Sequence, residues 1–168
     1  MGWIKTNIGV QKKELYLSLG ANVGDRKDNI LKATAAMEDF LKLPATCSRI
    51  MEFPSWGFCS SDFLNCVLRF DIPDSGADPE LFLLALLRRI KEIERAFGRT
   101  APAEFYADGS RKYHDRPIDI DILFYGKEII DTEILKVPHP LAGVRNFVLE
   151  PLEDVATEKL KENFPFYF

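Results

Sequence analysis

Nowhere in this 168-residue chain do 18 apolar residues follow one another, so no membrane-spanning helix is expected. The first residues carry no hydrophobic signal core, and a cytoplasmic location is the expectation. Cysteine is scarce. Cys47, Cys59 and Cys66 are odd in number and form no C-x-x-C pair, which argues against a disulfide framework and fits a reducing compartment. The two histidines, His114 and His139, lack the spacing of a zinc motif. Positive charge is in deficit, with 22 Lys and Arg against 26 Asp and Glu and a formal net charge of −4. No global basic field is available to recruit nucleic acid or an anionic membrane. An anionic ligand must therefore be held by a local cluster of arginines and lysines. The expected partners are small molecules, with no nucleic acid and no membrane, and the expected state is a monomer. Internal repeats and low-complexity tracts are missing as well.

What is present is an ordinary globular composition, 46% hydrophobic and 29% charged, at a length that suits one domain. Residues 1–13 read as an N-terminal extension and residues 14–168 as a single domain. ELYLSLG (14–20) alternates as a strand. GANVGD then turns into a helix over 26–42, with Ile30, Ala33, Met37, Phe40 and Leu41 as its apolar stripe. TCSRIMEF (46–53) and FLNCVLRFDI (63–72) read as strands joined by a turn-rich loop. A second helix runs over 79–97, opened by Pro79 and stopped by Gly98. Residues 99–115 show no period and read as a mobile loop. RPIDIDILFYG is a fourth strand, KEIIDTEILKVPHP a hairpin-like return, and the tail a short extended run followed by a weak helix. The order β-α-β-β-α-β predicts an α+β, ferredoxin-like sandwich: an antiparallel sheet with two helices on one face, plus C-terminal additions.

The segment RPIDIDILF (116–124) poses the chemical question. Its isoleucines alternate with Asp119 and Asp121, so both carboxylates share one face of a strand. Like charges so placed repel unless a cation offsets them. Magnesium is the hard cation that takes one or two carboxylates together with substrate phosphates. A merely solvated outer face, keeping a sheet edge from aggregating, is the competing reading. Arg116 just ahead of the pair favours the first.

Other residues sit oddly for a plain core. Glu94 falls in the apolar stripe Leu83, Leu87, Ile90 and Phe97, where a carboxylate must be paired or face a pocket. Arg99, Arg111, Lys112, Arg116 and Arg145 gather in sequence around the aspartates, and guanidinium forks suit phosphate. His139, between two prolines, packs a loop or donates to phosphate. Gly20 gives a tight turn or lets a flat ligand approach the backbone. Trp56, Phe63 and Phe147 are core aromatics or the walls of a slot for a flat heterocycle. Asn65 is polar within the strand F-L-N-C-V, and its amide matches the donor–acceptor edge of a pterin or purine.

Five segments in order, YLSLGANVGDR, FLNCVLRF, IKEIERAFGR, RPIDIDILFYGKEI and VPHPLAGVRNFVLEPL, carry a family resemblance over residues 15–151. The chain resembles the 6-hydroxymethyl-7,8-dihydropterin pyrophosphokinases of folate biosynthesis, whose fold is a ferredoxin-like α+β sandwich. The resemblance implies transfer of the pyrophosphoryl group of ATP to the hydroxymethyl oxygen of the pterin, releasing AMP. It implies two magnesium ions on Asp119 and Asp121, with ATP as co-substrate. Glu94, Arg116, Ile122, His139 and Arg145 would contact the nucleotide, and Arg99 and Arg116 would act on the transferring group. Gly20, Pro54, Trp56, Phe63, Asn65, Tyr113 and Phe147 would frame the pterin. Two departures stand out. Ala101 occupies the place of a second loop arginine, for which Arg111 or Lys112 would substitute, and Tyr113 replaces a common tryptophan. A magnesium-dependent phosphohydrolase and a non-catalytic pterin- or nucleotide-binding paralogue are the competing classes.

Overall fold

A computed structural model of the chain describes residues 9–98 and 104–168. Strand β1 (Lys12–Ala21) leads into helix α1 (Arg26–Leu41). Two short strands, β2 (Thr46–Cys47) and β3 (Met51–Phe53), precede the long β4 (Phe63–Pro73). Helix α2 (Pro79–Ala96) and strand β5 (Asp119–Tyr125) complete the core. A small hairpin of β6 (Ile130–Asp131) and β7 (Lys136–Val137) follows, then α3 (Asn146–Val155) and α4 (Glu158–Asn163). The main sheet is antiparallel, with β2 and β3 both on β4, then β1, then β5 at the far edge. This is the ferredoxin-like order expected from the pattern of elements.

Local chemistry explains the helix bounds. The Asp25 carboxylate accepts the N–H of Asp28 at 3.0 Å and starts α1. Asp78 accepts the N–H of Leu81 at 3.0 Å and, with Pro79 behind it, starts α2. Gly98, at φ +96°, ends α2 in a backbone conformation that costs glycine nothing.

The two faces of the sheet have different fates. Leu15, Leu17 and Leu19 of β1 and Cys66, Leu68 and Phe70 of β4 point to one side. Ile120 and Ile122 of β5 join them under Ile30, Ala33 and Met37 of α1 and Leu83, Leu86 and Ile90 of α2. Each such side chain, once buried, contributes roughly 1.5–3 kcal/mol. The opposite face is covered only at one end. There Tyr16, Val67, Leu123 and Phe124 pack under Val148, Leu152 and Val155 of α3 and Leu160 of α4. A bulge between Tyr16 and Leu17 shifts the β1–β5 register, which lets Leu123 and Phe124 both serve this second core. The other half of this face stays open, and the site lies there.

Three expectations need correction. The single strand over 46–53 is broken, because Ser48 donates its N–H to Val67 O and accepts the Val67 N–H on its hydroxyl, each within 2.9 Å. A side chain thus substitutes for a ladder bond and splits the strand into two pieces. The extended run near 145–150 is helix α3, whose apolar face is buried in the second core despite Pro151 within it. Tertiary burial outweighs the helix-breaking residue. Finally, β1 begins at Lys12, so Lys12 and Lys13 belong to the sheet, with Lys13 paired to Glu128 at 3.1 Å. Among the described residues no helix is long and apolar enough to cross a membrane.

Candidate active site

Strand register builds the floor of the site. Gly20 pairs with Asn65 on one side and with Asp119 on the other, so these three form one row across the sheet. One step along, Ser18 lies between Val67 and Asp121. Ser18, Gly20, Asn65, Asp119 and Asp121 all face the half of the sheet that no described helix covers, while Val67 lies under α3. Because Gly20 has no side chain, the Asn65 carboxamide lies over its bare backbone, and the gap above Asn65, Gly20 and Asp119 is the pocket. Asn65 is 3% exposed and its Nδ2 has no hydrogen-bond partner. An unsatisfied buried amide is costly, and a ligand acceptor placed in the gap would complete it.

Aromatic rings wall this floor. Phe63, Trp56, Tyr113 and Phe147 line a pocket that opens to solvent, together with Pro54. Trp56 meets Tyr113 edge-on at 5.5 Å and Phe147 at 6.5 Å. Arg145 holds these walls together: its guanidinium is 4.7 Å from the Trp56 ring and 5.4 Å from Phe147. It also donates to the Tyr113 hydroxyl at 3.2 Å.

The charged half adjoins the row at Asp119. Arg116 Nη1 is 2.5 Å from Asp119 Oδ2. Arg145 Nη1 and His139 Nε2 stand 3.9 and 4.0 Å from Asp121 Oδ2. Burial and the neighbouring Asp119 charge push the Asp121 carboxyl up, while His139, Arg145 and Arg116 oppose them. Burial holds the His139 imidazole below its ordinary range, although the Asp121 charge works the other way. The Leu141 N–H donates to His139 Nδ1 at 3.1 Å, so the neutral ring carries its proton on Nε2, toward Asp121.

Among the described residues no group of three or more His, Cys, Asp and Glu converges on a metal position. The donor set is two carboxylates, which suits a hard cation that draws its remaining oxygens from phosphate and water. On that chemistry magnesium fits and zinc does not.

Twelve of the seventeen residues singled out in the sequence line this one pocket: Gly20, Pro54, Trp56, Phe63, Asn65, Arg111, Tyr113, Arg116, Asp119, Asp121, Arg145 and Phe147. His139 stands just behind Asp121. Glu94 and Ile122 lie on the helix side of the sheet instead, and Ile122 is buried in the main core. The Glu94 carboxylate accepts the Ile120 N–H at 3.1 Å and pairs with Lys91 at 3.2 Å, which explains an acid in an apolar stripe. Arg99 and Ala101 fall outside the described residues. Sequence reasoning missed Ser18, Phe58 and His114 as lining residues. Ser18 was within reach, since it shares a strand face with Gly20. Phe58 and His114 sit on loops, where no period marks them.

Comparison with known proteins names the arrangement. Residues 16–157 match the family 7,8-dihydro-6-hydroxymethylpterin-pyrophosphokinase (HPPK). The chain belongs to the HPPK family. It is 40% identical over 142 residues to a 2-amino-4-hydroxy-6-hydroxymethyldihydropteridine pyrophosphokinase of Aquifex aeolicus, covering 84% of this chain and 79% of that protein. A protein of the same name from Porphyromonas gingivalis is 38% identical over 144 residues, covering 84% and 90%. The mitochondrial folate synthesis bifunctional protein of Pisum sativum is 38% identical over 149 residues, 88% of this chain but 26% of that longer protein. The HPPK chain is thus an ATP-dependent diphosphokinase of folate biosynthesis.

Proposed function

We propose that this chain transfers the β,γ-pyrophosphoryl group of ATP to the hydroxymethyl oxygen of 6-hydroxymethyl-7,8-dihydropterin through the pocket built on the Asn65–Gly20–Asp119 row. The observation that carries the residue-level reading is the unsatisfied Asn65 amide in an aromatic pocket, across the Gly20 backbone from Asp119 in the same row of the sheet. The pterin ring lies over Gly20 between the Phe63 and Phe147 rings, with its amide edge on Asn65. Trp56, Pro54 and Tyr113 close the rim. In this pose the hydroxymethyl arm points along the row toward Asp119 and Asp121.

Asp119 and Asp121 would hold two magnesium ions, which when bound supply charge neutralisation to the triphosphate and acidify the attacking hydroxyl. Arg116, Arg145 and His139 bind phosphate oxygens on the same side, and His139 presents a proton on Nε2 to them. The hydroxymethyl oxygen forms a bond to the β phosphorus as the bond from that phosphorus to the α–β bridging oxygen breaks. The hydroxyl proton passes to solvent water, and the bridging oxygen departs with AMP. This chemistry asks the protein for alignment and electrostatic stabilisation rather than a covalent intermediate. Glu94, on α2 with its carboxylate on the Ile120 N–H, and Ile122, whose side chain is in the main core, would serve the nucleotide only along the outer edge of β5, the side of that strand that pairs with no other described strand.

The test mixes the protein with ATP, magnesium and the pterin alcohol and follows both products. AMP and pterin diphosphate in equal amounts support the proposal. AMP alone shows hydrolysis, and neither product shows a binding protein.

A further inference from the structure

The two halves of the pocket come from distant parts of the chain, and one carboxylate outside the reaction joins them. Asp115 Oδ1 accepts a short hydrogen bond from Ser60 Oγ and a second, at 2.8 Å, from Asn22 Nδ2. Ser60 belongs to the loop that carries Trp56 and Phe58 of the aromatic wall. That loop is internally tied: the Ser60 N–H donates to Ser55 Oγ at 3.1 Å, and Ser55 Oγ donates to Phe58 O at 2.6 Å. Asn22, 5% exposed, follows the end of β1, two residues beyond Gly20. Its Oδ1 accepts the Arg116 N–H at 2.7 Å, and its own N–H donates to Arg116 O at 3.0 Å. Its Nδ2 also reaches Ser61 O at 3.3 Å.

We infer that Asp115, acting through Asn22 and Ser60, is a positioning residue that latches the pterin-side loop to the phosphate-side arginine. The inference rests on the pyrophosphokinase reading of the pocket. Asp115 touches neither proposed substrate. It stands immediately before Arg116, whose backbone is clamped on both polar atoms by Asn22 and whose guanidinium reaches Asp119. A loop that fixes the ring and a strand that fixes the triphosphate must keep one relative placement for in-line attack. Two donors converging on one carboxylate oxygen enforce that placement, and charge-assisted hydrogen bonds are the strong kind. The same two donors hold the Asp115 carboxyl below its ordinary range. Asp115 is therefore ionised throughout the neutral range, and the latch stays closed there.

The experiment separates positioning from bulk stability. Asp115→Ala is expected to lower kcat and raise KM for the pterin, each by roughly tenfold, since hydrogen bonds to a charged group are the ones lost. Its melting temperature should stay near that of the wild type. Ser60→Ala, a half-buried change that keeps the backbone bond to Ser55, should raise KM for the pterin several-fold and leave KM for ATP unaltered. Asn22→Asp keeps the acceptor for the Arg116 N–H but sets a carboxylate against Asp115, and activity should fall at least as far. Adding Asp115→Asn to Asn22→Asp restores a donor–acceptor pair with reversed polarity and should recover about tenfold of the loss. Hydrogen exchange gives a readout independent of turnover: the Ser60 and Arg116 amides should exchange faster in Asp115→Ala. Wild-type kinetics and exchange in Asp115→Ala would overturn the latch. So would a double variant no better than Asn22→Asp alone. A wild-type protein that makes no pterin diphosphate but shows the exchange effect would instead overturn the activity reading and leave the latch standing as geometry.

Discussion

Asn65 Oδ1 lies 2.7 Å from the point where a β carbon on residue 20 would stand. Gly20 and Asn65 are register partners, so the carboxamide lies over bare backbone and cannot keep its position above any larger residue. Gly20→Ala is expected to push Asn65 aside and to cost pterin affinity at least about tenfold, because a misplaced amide loses its ring partner. ATP affinity should change little. Calorimetric titration with each ligand separately checks this, and wild-type pterin affinity in the variant would move the ring away from Gly20.

The carboxylate pair makes a second prediction with two opposite signs. Asp119→Ala and Asp121→Ala should each reduce pyrophosphoryl transfer by about 10³-fold or more, since charge stabilisation dominates such reactions. Asp121→Asn should do the same to turnover while raising the melting temperature by a few degrees in metal-free buffer. Burial and the Asp119 charge both work against the Asp121 carboxylate, so removing its charge relieves the fold. A variant that loses stability along with activity would show that Arg145 and His139 depend on that charge for their own placement.

These residues were the legible part of the site. Ile118, Ile120 and Ile122 alternate strictly, so the period alone assigns the aspartates between them to one strand face. Gly20, Phe63 and Asn65 follow from the same period-2 rule. The illegible parts depend on contacts between distant segments. Nothing local announces that Ser48 replaces a ladder bond, that Asn146–Val155 coils into a helix over Tyr16 and Phe124, or that Asp115 faces Ser60. Glu94 stands out in its apolar stripe, yet its partner, the Ile120 amide, is 26 residues away. Sequence period reports which face a residue takes; it does not report what waits on that face.

Alkaline stability offers a test of the packed core. Burial pushes the Cys66 thiol up from 9.0 to about 12, with a smaller push from Cys47. Burial likewise raises the Tyr16 phenol from 10.0 to about 12, beside the Glu14 carboxylate that accepts its proton at 3.0 Å. Both groups stay protonated in the folded chain after their unfolded counterparts have ionised. Their stabilising contribution is therefore fully present below pH 9 and is lost as pH rises toward 12. Each group should lower unfolding free energy by about 1.4 kcal/mol per pH unit within its window. Urea unfolding at a series of pH values measures the slope, and Tyr16→Phe should flatten it only above pH 10. Alkylation at pH 8 should modify the exposed Cys47 and Cys59 and spare Cys66 until the chain unfolds.

The loop ahead of β5 separates two cations that the sequence left equivalent. Phe105 and Arg111 form an antiparallel bridge, with the Tyr106 N–H on Ser110 O at 2.8 Å and the Lys112 N–H on Glu104 O at 2.8 Å. In such a two-stranded turn neighbouring side chains take opposite sides. Arg111 lines the pocket, 5.9 Å from the Tyr113 ring, and no carboxylate of the described residues pairs with it. Lys112 turns outward, 3.7 Å from Glu104 and 5.3 Å from the Tyr106 ring. Arg111 is therefore the cation in place to meet the transferring phosphates. Arg111→Ala should lower kcat by about 10- to 100-fold with a smaller effect on pterin affinity, because its charge matters most as phosphate charge shifts. Lys112→Ala should stay within about twofold of the wild type, as expected for an exposed pair. Single-turnover measurements on the two variants, run side by side, distinguish chemistry from binding. Equal losses in both would mean that the hairpin as a whole, rather than one guanidinium, carries the effect.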